Sequence, residues 1–296
     1  MSFVKFSVTI WTVTNKEGLF MAGKLFVVGT PIGNLGDISP RALETLESCD
    51  FIAAEDTRVT LKLLNHFEIK KPMISYYEQN RRAKGEIIAD RILKGENCAL
   101  VTDAGMPAVS DPGEDLVDLC HEMGITVCAV PGPSAFVAAI ALSGLAVGRF
   151  CFEGFLSMNK PSRREHLESL IKEKRTMVFY EAPHKLSATL SDLYNYFGQR
   201  RLVIVREITK IHEEVIRTTL EEAVEKYAET PLKGEIVLVV EGAKEEEKEE
   251  ITLSDAVKIA RELMEKEEMS PSFAAKQAAK ETGLKKGDIY KALQEE

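Results

Sequence analysis

The segment from Asn97 to Ala135 constrains the fold of this chain more than any other. An apolar strand, Cys98 to Thr102, leads through a turn and a helix to a second apolar strand, Ile125 to Val130. Each strand ends in a loop built from Gly and Pro, at positions 103–107 and 131–134. Parallel strands joined by a helix form a βαβ unit, and open parallel sheets bind ligands beyond the carboxyl ends of their strands. The segment therefore predicts an α/β fold with a small-molecule cleft at these two loops.

The helix of this unit is predicted to begin beside Asp111. An aspartate suits the N-cap position because its carboxylate accepts the free N–H groups of the first turn. Pro112 suits the first helical position, and Glu114 completes a pattern similar to a capping box. We therefore expect Asp111 to cap this helix.

Length and composition limit the class of protein. The chain has 296 residues, 45% of them hydrophobic, which is enough for a proper core and favours two domains over one. No run of about twenty apolar residues occurs, so we expect no membrane span. The formal net charge of -9 argues mildly against a generic nucleic-acid binder. It does not exclude one, because binding depends on where the charges lie.

Cysteine and histidine usage indicates a reduced protein without a metal site. The five cysteines are odd in number and show no C-x-x-C spacing. They are typical of reduced core residues in a cytoplasmic protein. The five histidines are scattered, and none has a partner at metal-ligand spacing.

Two further loops follow predicted strands. Residues 31–37 come after the strand Lys24 to Thr30, but their glycines do not form G-x-G-x-x-G and no P-loop Lys-Ser/Thr follows. We expect this backbone to line the cleft; a plain tight turn is the alternative. Residues 55–58, Glu-Asp-Thr-Arg, end the strand Asp50 to Ala54. They either face a ligand or, through Asp56 or its neighbour, cap the next helix.

The sequence divides into five parts. Residues 1–22 are expected to be a poorly packed extension, because they show neither a clean hydrophobic period nor the features of a signal peptide. Residues 23–134 are predicted to form an α/β domain with a parallel sheet, and residues 135–243 a second α/β domain with a mixed sheet. A charged linker, residues 244–251, leads to a helical module, residues 252–296. This module resembles a helix-turn-helix, and RNA contact and dimer packing are both open roles for it.

Basic residues also cluster between the two α/β halves. A solvent-exposed helix face and a nucleic-acid contact are both compatible with such a cluster. Its members are Lys160, Arg163, Arg164, Lys172, Lys174 and Arg175.

Seven motifs occur in a fixed order along residues 23–242. They are GTPIGNLGDIS, AAEDTR, LVTDAGMPAVSDPG, VPGPSA, FYEAPH, REITKIHEE and KGEIVLVVEG. Together they resemble the tetrapyrrole-methylase-type S-adenosylmethionine enzymes, and within them the branch that methylates small-subunit ribosomal RNA. The helical tail is similar to the C-terminal module of that branch.

The resemblance implies a cytoplasmic homodimer in which each subunit holds S-adenosylmethionine between two α/β domains. The broader family often has Gly-Asp-Pro in the central loop, where this chain has Gly105-Met106-Pro107. Asp103 is the candidate to replace the missing aspartate. Carried over by position, the cofactor contacts are Pro31, Ile32, Gly33, Asp103, Ala104, Gly105, Met106, Val109, Ser134, Ala135, Glu181 and Ile208.

The implied reaction is methylation of a cytidine ribose 2′-hydroxyl in the decoding region of 16S ribosomal RNA, free or in the small subunit. A hydroxyl needs a proton acceptor, and the candidates are Asp56, Glu181 and Asp103. Candidate RNA phosphate contacts are Arg58, Arg206 and Lys210. The alternatives are a tetrapyrrole or protein acceptor, or a non-catalytic ribosome-binding module with the same fold.

Overall fold

The computed structural model of the protein describes residues 22–229, 232–244, 252–266 and 269–295. The chain divides into two compact units, with the boundary between Ala243 and Lys244. The expected N-terminal extension, apart from its last residue, and nearly all of the charged linker lie outside the described residues.

The first sheet of the larger unit is entirely parallel. Its strand order is β3-β2-β4-β1-β5, so β1 lies between β4 and β5. The strands are β1 Lys24–Val28, β2 Phe51–Ala54, β3 Met73–Ser75, β4 Cys98–Val101 and β5 Thr126–Val130. The connecting helices are α1 Pro40–Ser48, α2 Thr57–His66, α3 Arg81–Leu93 and α4 Glu114–Glu122. Residues such as Ile52 and Leu100 are fully or almost fully buried, because helices cover both faces of the sheet.

The second sheet is mixed. Its order is β6-β7-β10-β8-β9, with β6 and β7 parallel and the other neighbours antiparallel. The strands are β6 Phe150–Phe155, β7 Thr176–Glu181, β8 Arg201–Arg206, β9 Glu214–Thr219 and β10 Ile236–Val240. The helices are α5 Ala135–Ser143, α6 Lys160–Leu170, α7 Leu186–Phe197 and α8 Leu220–Tyr227. The predicted α/β class with one parallel and one mixed sheet is confirmed.

The two sheets meet around α5 and the loop after β1. Ile32 from that loop packs in one hydrophobic cluster with Ala139 and Ile140 of α5 and with Val205 of β8. The loop after β1 is therefore held against the second sheet.

The smaller unit is helical, as predicted. It consists of α9 Leu253–Lys266, α10 Pro271–Thr282 and α11 Lys286–Glu295. Small side chains, among them Ala260, Ala274 and Ala278, are fully buried between these helices together with Ile289. Gly283, at φ +75°, ends α10 in the left-handed conformation that glycine adopts at little cost.

The prediction that Asp111 caps a helix is wrong. The helix begins at Glu114, and its N-cap is Gly113, which has φ +148° and makes no side-chain capping bond. Residues 111–113 continue the loop after β4, so Asp111 lies within that loop.

Candidate active site

A cavity of about 370 Å³ lies where the two sheets of the larger unit meet. Loops after four parallel strands, β1, β2, β4 and β5, reach it from one side, and the second sheet closes the other. Its lining residues are Ile32, Glu55, Asp103, Ala104, Gly105, Met106, Val109, Ser110, Asp111, Ser134, Ala135, Phe155, Tyr180, Glu181, Ala182, Pro183, Ile208, Glu235, Ile236 and Val237.

The loops after β1, β4 and β5 are tied to one another through their backbones. Thr30 donates its N–H to the Gly105 carbonyl at 2.9 Å, and Gly105 donates to the Thr30 carbonyl at 3.1 Å. A Cβ atom on Gly132 would lie 2.6 Å from the carbonyl oxygen of Gly29, closer than atoms can approach. Glycine is therefore required where the first and third loops cross.

Backbone strain is concentrated beside the cavity. In the loop after β4, Ala108 and Ser110 have φ values of 64° and 63°, and in the loop after β8, Glu207 and Thr209 have 51° and 67°. Non-glycine residues adopt such angles at a cost of about 1–3 kcal/mol and persist in them when the surrounding structure holds them. The hydrogen bonds around Glu207 provide part of this support, since its carboxylate accepts from Glu235 N at 3.0 Å.

The residues that the resemblance assigned to the cofactor come together in space. Ten of the twelve line the cavity. The other two, Pro31 and Gly33, line a second cavity of about 320 Å³ that shares Ile32, Asp103 and Ala104 with the first. The structure thus brings the whole predicted set to one place.

Beside the cavity, α5 contacts β7. The Tyr180 hydroxyl accepts a hydrogen bond from the Phe136 backbone N–H at 3.3 Å, and burial raises the pKa of this tyrosine. Phe152 packs between these residues, with ring centroids 4.4 Å from Phe136 and 5.0 Å from Tyr180. Of these three aromatic residues, Tyr180 lines the cavity, and the other two support its ring.

Three carboxyl groups of the cavity influence one another. Burial, together with the neighbouring acidic groups, raises the pKa of Glu55 and Asp103. Burial and the charges of Glu55 and Asp103 raise the pKa of Asp111 to about 6. Asp103 accepts a hydrogen bond from Asp56 N at 3.2 Å, and Glu55 accepts one from Asp103 N at 3.3 Å. Asp111 has no hydrogen bond or ion pair with any residue in the described part of the chain.

Glu181 is almost completely buried and firmly held. Its carboxylate accepts a hydrogen bond from Ala182 N at 2.8 Å and another from the Thr189 hydroxyl. Arg163 in turn donates to Thr189 Oγ1 at 2.8 Å. One face of Glu181 lines the cavity, while its oxygens are bonded to the protein.

Asp56 lies outside both cavities. Its carboxylate caps α2 by accepting from Arg58 N at 2.8 Å and forms a 2.6 Å ion pair with the Arg58 guanidinium. The hydrogen bonds from Arg58 lower its pKa to about 2.

The three predicted phosphate contacts are dispersed. The Arg58 side chain is 87% exposed, and its guanidinium is paired with the Asp56 carboxylate. Arg206 is bound to Glu214 at 2.6 Å, away from both cavities. Lys210 lines the second cavity, where it pairs with Glu207 at 3.0 Å and Glu235 at 3.2 Å.

Sequence reasoning placed Glu55 in a turn that either faces a ligand or caps a helix, and it missed Asp111 as a cavity residue. Both belong to segments that the sequence singled out, the turn at 55–58 and the loop after β4, but each segment also fits a helix start. For Asp111 the local pattern favoured the cap, and only the approach of the two loops in space reveals the carboxyl cluster.

Within the described part of the chain, no group of three or more His, Cys, Asp or Glu side chains is placed to hold a metal ion. The five cysteines are free thiols, and burial raises the pKa of Cys98, Cys120 and Cys151. None of the described helices is both long and apolar enough to span a membrane.

Comparison with known proteins identifies the family. Residues 24–224 match the model of the Tetrapyrrole (Corrin/Porphyrin) Methylases. A protein named Ribosomal RNA small subunit methyltransferase I from Synechocystis is 47% identical over 269 residues, which is 90% of this chain and 96% of that protein. Its namesake from Halalkalibacterium halodurans is 45% identical and covers 93% of this chain and 96% of its own length.

Solved structures share the fold at low identity. Uroporphyrin-III C-methyltransferase from Thermus thermophilus, complexed with S-adenyl homocysteine, has a TM-score of 0.53 and 17% identity over 73% of this chain and 97% of its own. The methyltransferase CobJ has a TM-score of 0.56 and 19% identity over 75% of this chain and 95% of its own. The chain therefore belongs to the tetrapyrrole methylase family, in the group of the Ribosomal RNA small subunit methyltransferase I proteins.

Proposed function

We propose that this protein transfers a methyl group from S-adenosylmethionine to the ribose 2′-hydroxyl of a cytidine in the decoding region of 16S ribosomal RNA. The observation that carries the proposal is the cavity of about 370 Å³ on which loops from both sheets converge. The names and high identity of the relatives support ribosomal RNA as the acceptor.

The residues of the cavity fit the cofactor. The cavity volume, about 370 Å³, falls in the range of small-molecule sites. Ile32, Met106, Val109 and Ala135 offer apolar surface to an adenine ring, while backbone carbonyls and carboxylates offer hydrogen-bond acceptors to ribose hydroxyls. Acidic side chains also balance a cationic ligand. Pro31 and Gly33 lie in the adjoining cavity and complete the set of residues that would hold it.

S-adenosylmethionine supplies an electrophilic methyl group when bound, so the protein has to orient two ligands, exclude water and accept a proton. The backbone pairing of Thr30 with Gly105 and the close crossing of Gly29 with Gly132 make the cradle rigid. Rigid positioning of this kind contributes to catalysis because the geometry is fixed before the reaction.

Among the carboxyl groups that line the cavity, Asp111 is best disposed to accept the proton of the ribose hydroxyl. Glu55, Asp103, Glu181 and Glu235 each accept a hydrogen bond or form an ion pair with a described residue. Asp111 has no such partner, and its pKa of about 6 makes it ionised yet basic near neutral pH. Asp103 and Glu181 then serve to bind and orient the ligands.

The RNA partner is supported by the names of the relatives, and Lys210, which lines the second cavity, is one proposed phosphate contact. The homodimer implied by the family is supported by apolar side chains that the single chain leaves exposed. On α5 and β6, Val137 is 52% and Phe150 is 39% exposed. The five cysteines are free thiols, which supports the proposal that the protein acts in the reducing cytoplasm.

The test is incubation of the purified protein with isotope-labelled S-adenosylmethionine and small ribosomal subunits that lack the modification. We expect label in the RNA, at one cytidine and resistant to base removal. Absence of label in RNA would reject RNA as the methyl acceptor. Label in ribosomal protein or in an added tetrapyrrole would identify that molecule as the acceptor instead. Failure of calorimetry to detect cofactor binding would reject the methyltransferase activity.

A further inference from the structure

A basic groove lies on the second sheet's side of the larger unit, outside the two cavities. It is formed by α6, by the turn Pro183–Lys185 and by α7, and it has a volume of about 450 Å³. Four of its lining side chains are cationic at neutral pH, against one carboxylate, that of Asp192. The cationic residues are Lys160, Arg163, Arg164 and Lys185.

The structure separates two kinds of cation in this groove. Arg163 is held in place, with Nε 2.7 Å from Asp192 and Nη2 2.8 Å from the Thr189 hydroxyl. Lys160 and Lys185 form no ion pair with a described residue. The Arg164 side chain is 69% exposed and lies 3.8 Å from the Glu168 carboxylate. This exposed, long ion pair is weak. Three cations are thus available to a partner.

Unneutralised cations in one groove are notable because the chain has a formal net charge of -9. Arg175, another member of the basic cluster predicted from the sequence, differs in this respect because it is bound to Glu173 at 2.7 Å. The groove therefore concentrates positive charge against the overall balance, which is how an acidic protein can still attract a polyanion.

The groove is coupled to the proposed active site. Pro183 lines the cavity, and the two residues that follow it in the same turn line the groove. Thr189, at the groove wall, donates to Glu181, which lines the cavity, and accepts from Arg163. A nucleic-acid strand bound along the groove would therefore pass directly beside the cavity.

We infer that the basic groove binds the phosphate backbone of single-stranded RNA on one side of the nucleotide that enters the cavity. This inference rests on the proposed function. Phosphate oxygens suit Lys160, Arg164 and Lys185, and Tyr196, which also lines the groove, offers a ring face to an unstacked base.

The experiment compares two triple variants of the full chain. The groove variant is Lys160→Ala, Arg164→Ala, Lys185→Ala. The control variant, Lys24→Ala, Lys70→Ala, Lys94→Ala, removes the same charge from residues at or before the amino ends of parallel strands, opposite the cavity. Binding of a labelled single-stranded oligoribonucleotide with the decoding-region sequence is measured by anisotropy at several salt concentrations, and thermal melting checks that both variants are folded.

We expect the groove variant to bind this RNA about tenfold more weakly at moderate salt. The slope of log K against log salt should fall by about 2, because each single-strand phosphate contact contributes roughly 0.7. The control variant should change neither quantity. In methyl transfer, the groove variant should raise KM for RNA with little change in kcat.

Equal RNA affinity and salt slope in wild type and groove variant would overturn the inference. So would a groove variant that binds isolated RNA normally but whole small subunits weakly, since the groove would then contact ribosomal protein. The proposed function is tested separately, by whether the wild type methylates RNA at all.

Discussion

The Asp56 carboxylate and the Arg58 guanidinium form a 2.6 Å ion pair at the first turn of α2. The same carboxylate caps the helix, and the hydrogen bonds from Arg58 lower its pKa to about 2. A group this acidic and already hydrogen-bonded is a poor proton acceptor at neutral pH.

We therefore expect Asp56→Asn, which keeps a side-chain oxygen for the cap, to leave turnover close to that of the wild type. Single-turnover methyl transfer measures this. Asp56→Ala, which loses the cap, should melt at a lower temperature but still turn over. A large loss of rate in Asp56→Asn without any loss of stability would return Asp56 to the list of proton acceptors.

Asp111 is the carboxylate for which we expect the opposite behaviour. Replacement by Asn should lower kcat by about 10²–10⁴-fold, the usual contribution of a positioned base. Cofactor binding should remain. Asp118→Asn is a matched control, because Asp118 is exposed on α4 and should show wild-type rates.

The pKa of Asp111 also predicts how the rate of methyl transfer depends on pH. Only the ionised carboxylate accepts a proton, so kcat/KM of the wild type should rise as pH increases through about 6, the pKa of Asp111. Glu55, Asp103 and Tyr180 face Asp111, and the two acids are what keep this pKa high besides burial. In Asp111→Asn the acidic limb should disappear. An identical limb in the variant would show that another group titrates.

The residues at the cavity differ in how far the sequence could predict them. The loops at Ile32, Gly105 and Ser134 were predictable because a βαβ pattern fixes which strand ends share one edge of a sheet. The order of the motifs then assigned cofactor contacts, and the structure brings all of these to two adjoining cavities.

The position of Asp111 in the cavity could not be predicted in this way. An Asp-Pro pair before an acidic residue is typical of a helix start, and local pattern favours that interpretation. In the structure, Gly113 at φ +148° begins the helix instead, and the loop at Ala108 and Ser110 turns through positive φ angles. This path depends on contacts with distant residues such as Leu100, which lies 3.0 Å from where a Cβ on Gly113 would be.

The crossing of Gly29 and Gly132 makes a stability prediction. In Gly132→Ala the new Cβ would lie 2.6 Å from a backbone oxygen and 2.8 Å from Cα of Gly29, and neither atom can rotate away. We expect a loss of about 1–3 kcal/mol in the free energy of unfolding, as for other overpacked sites, with weaker cofactor binding because two cradle loops separate.

The control is Gly148→Ala, where no atom lies within 4 Å of the added Cβ. It should change the unfolding free energy by less than about 0.5 kcal/mol. Denaturant unfolding and calorimetric titration with S-adenosylhomocysteine measure the two effects. Wild-type stability in Gly132→Ala would mean that the loops cross less tightly than described.

The smaller unit gives a prediction about binding. All residues that line the two cavities precede Ala243, the end of the larger unit. Removal of residues 244–296 should therefore leave cofactor affinity unchanged. The removed residues include Lys276, Lys280, Lys285 and Lys286 among their cations, so binding to small subunits should weaken and depend less on salt. Equal subunit affinity with and without the unit would assign it a different role.

The proposed homodimer should depend on the apolar surface of α5 and β6. Phe136 and Phe150 have ring centroids 6.4 Å apart, so the two elements form one surface, on which Val137 is 52% exposed. Val137→Glu with Phe150→Glu places two charges in a surface that a second copy would bury. We expect the variant to sediment as a monomer, because burying an unpaired charge costs several kcal/mol.

Ile211→Glu is the matched control for this variant. Ile211 is 98% exposed in the turn between β8 and β9, so its charge should leave the sedimentation coefficient of the wild type unchanged. Because Phe155 of β6 also lines the cavity, separation of the dimer should weaken cofactor binding as well. If the variant stays dimeric, the interface lies on another surface. If the wild type is monomeric, the protein does not form the proposed homodimer.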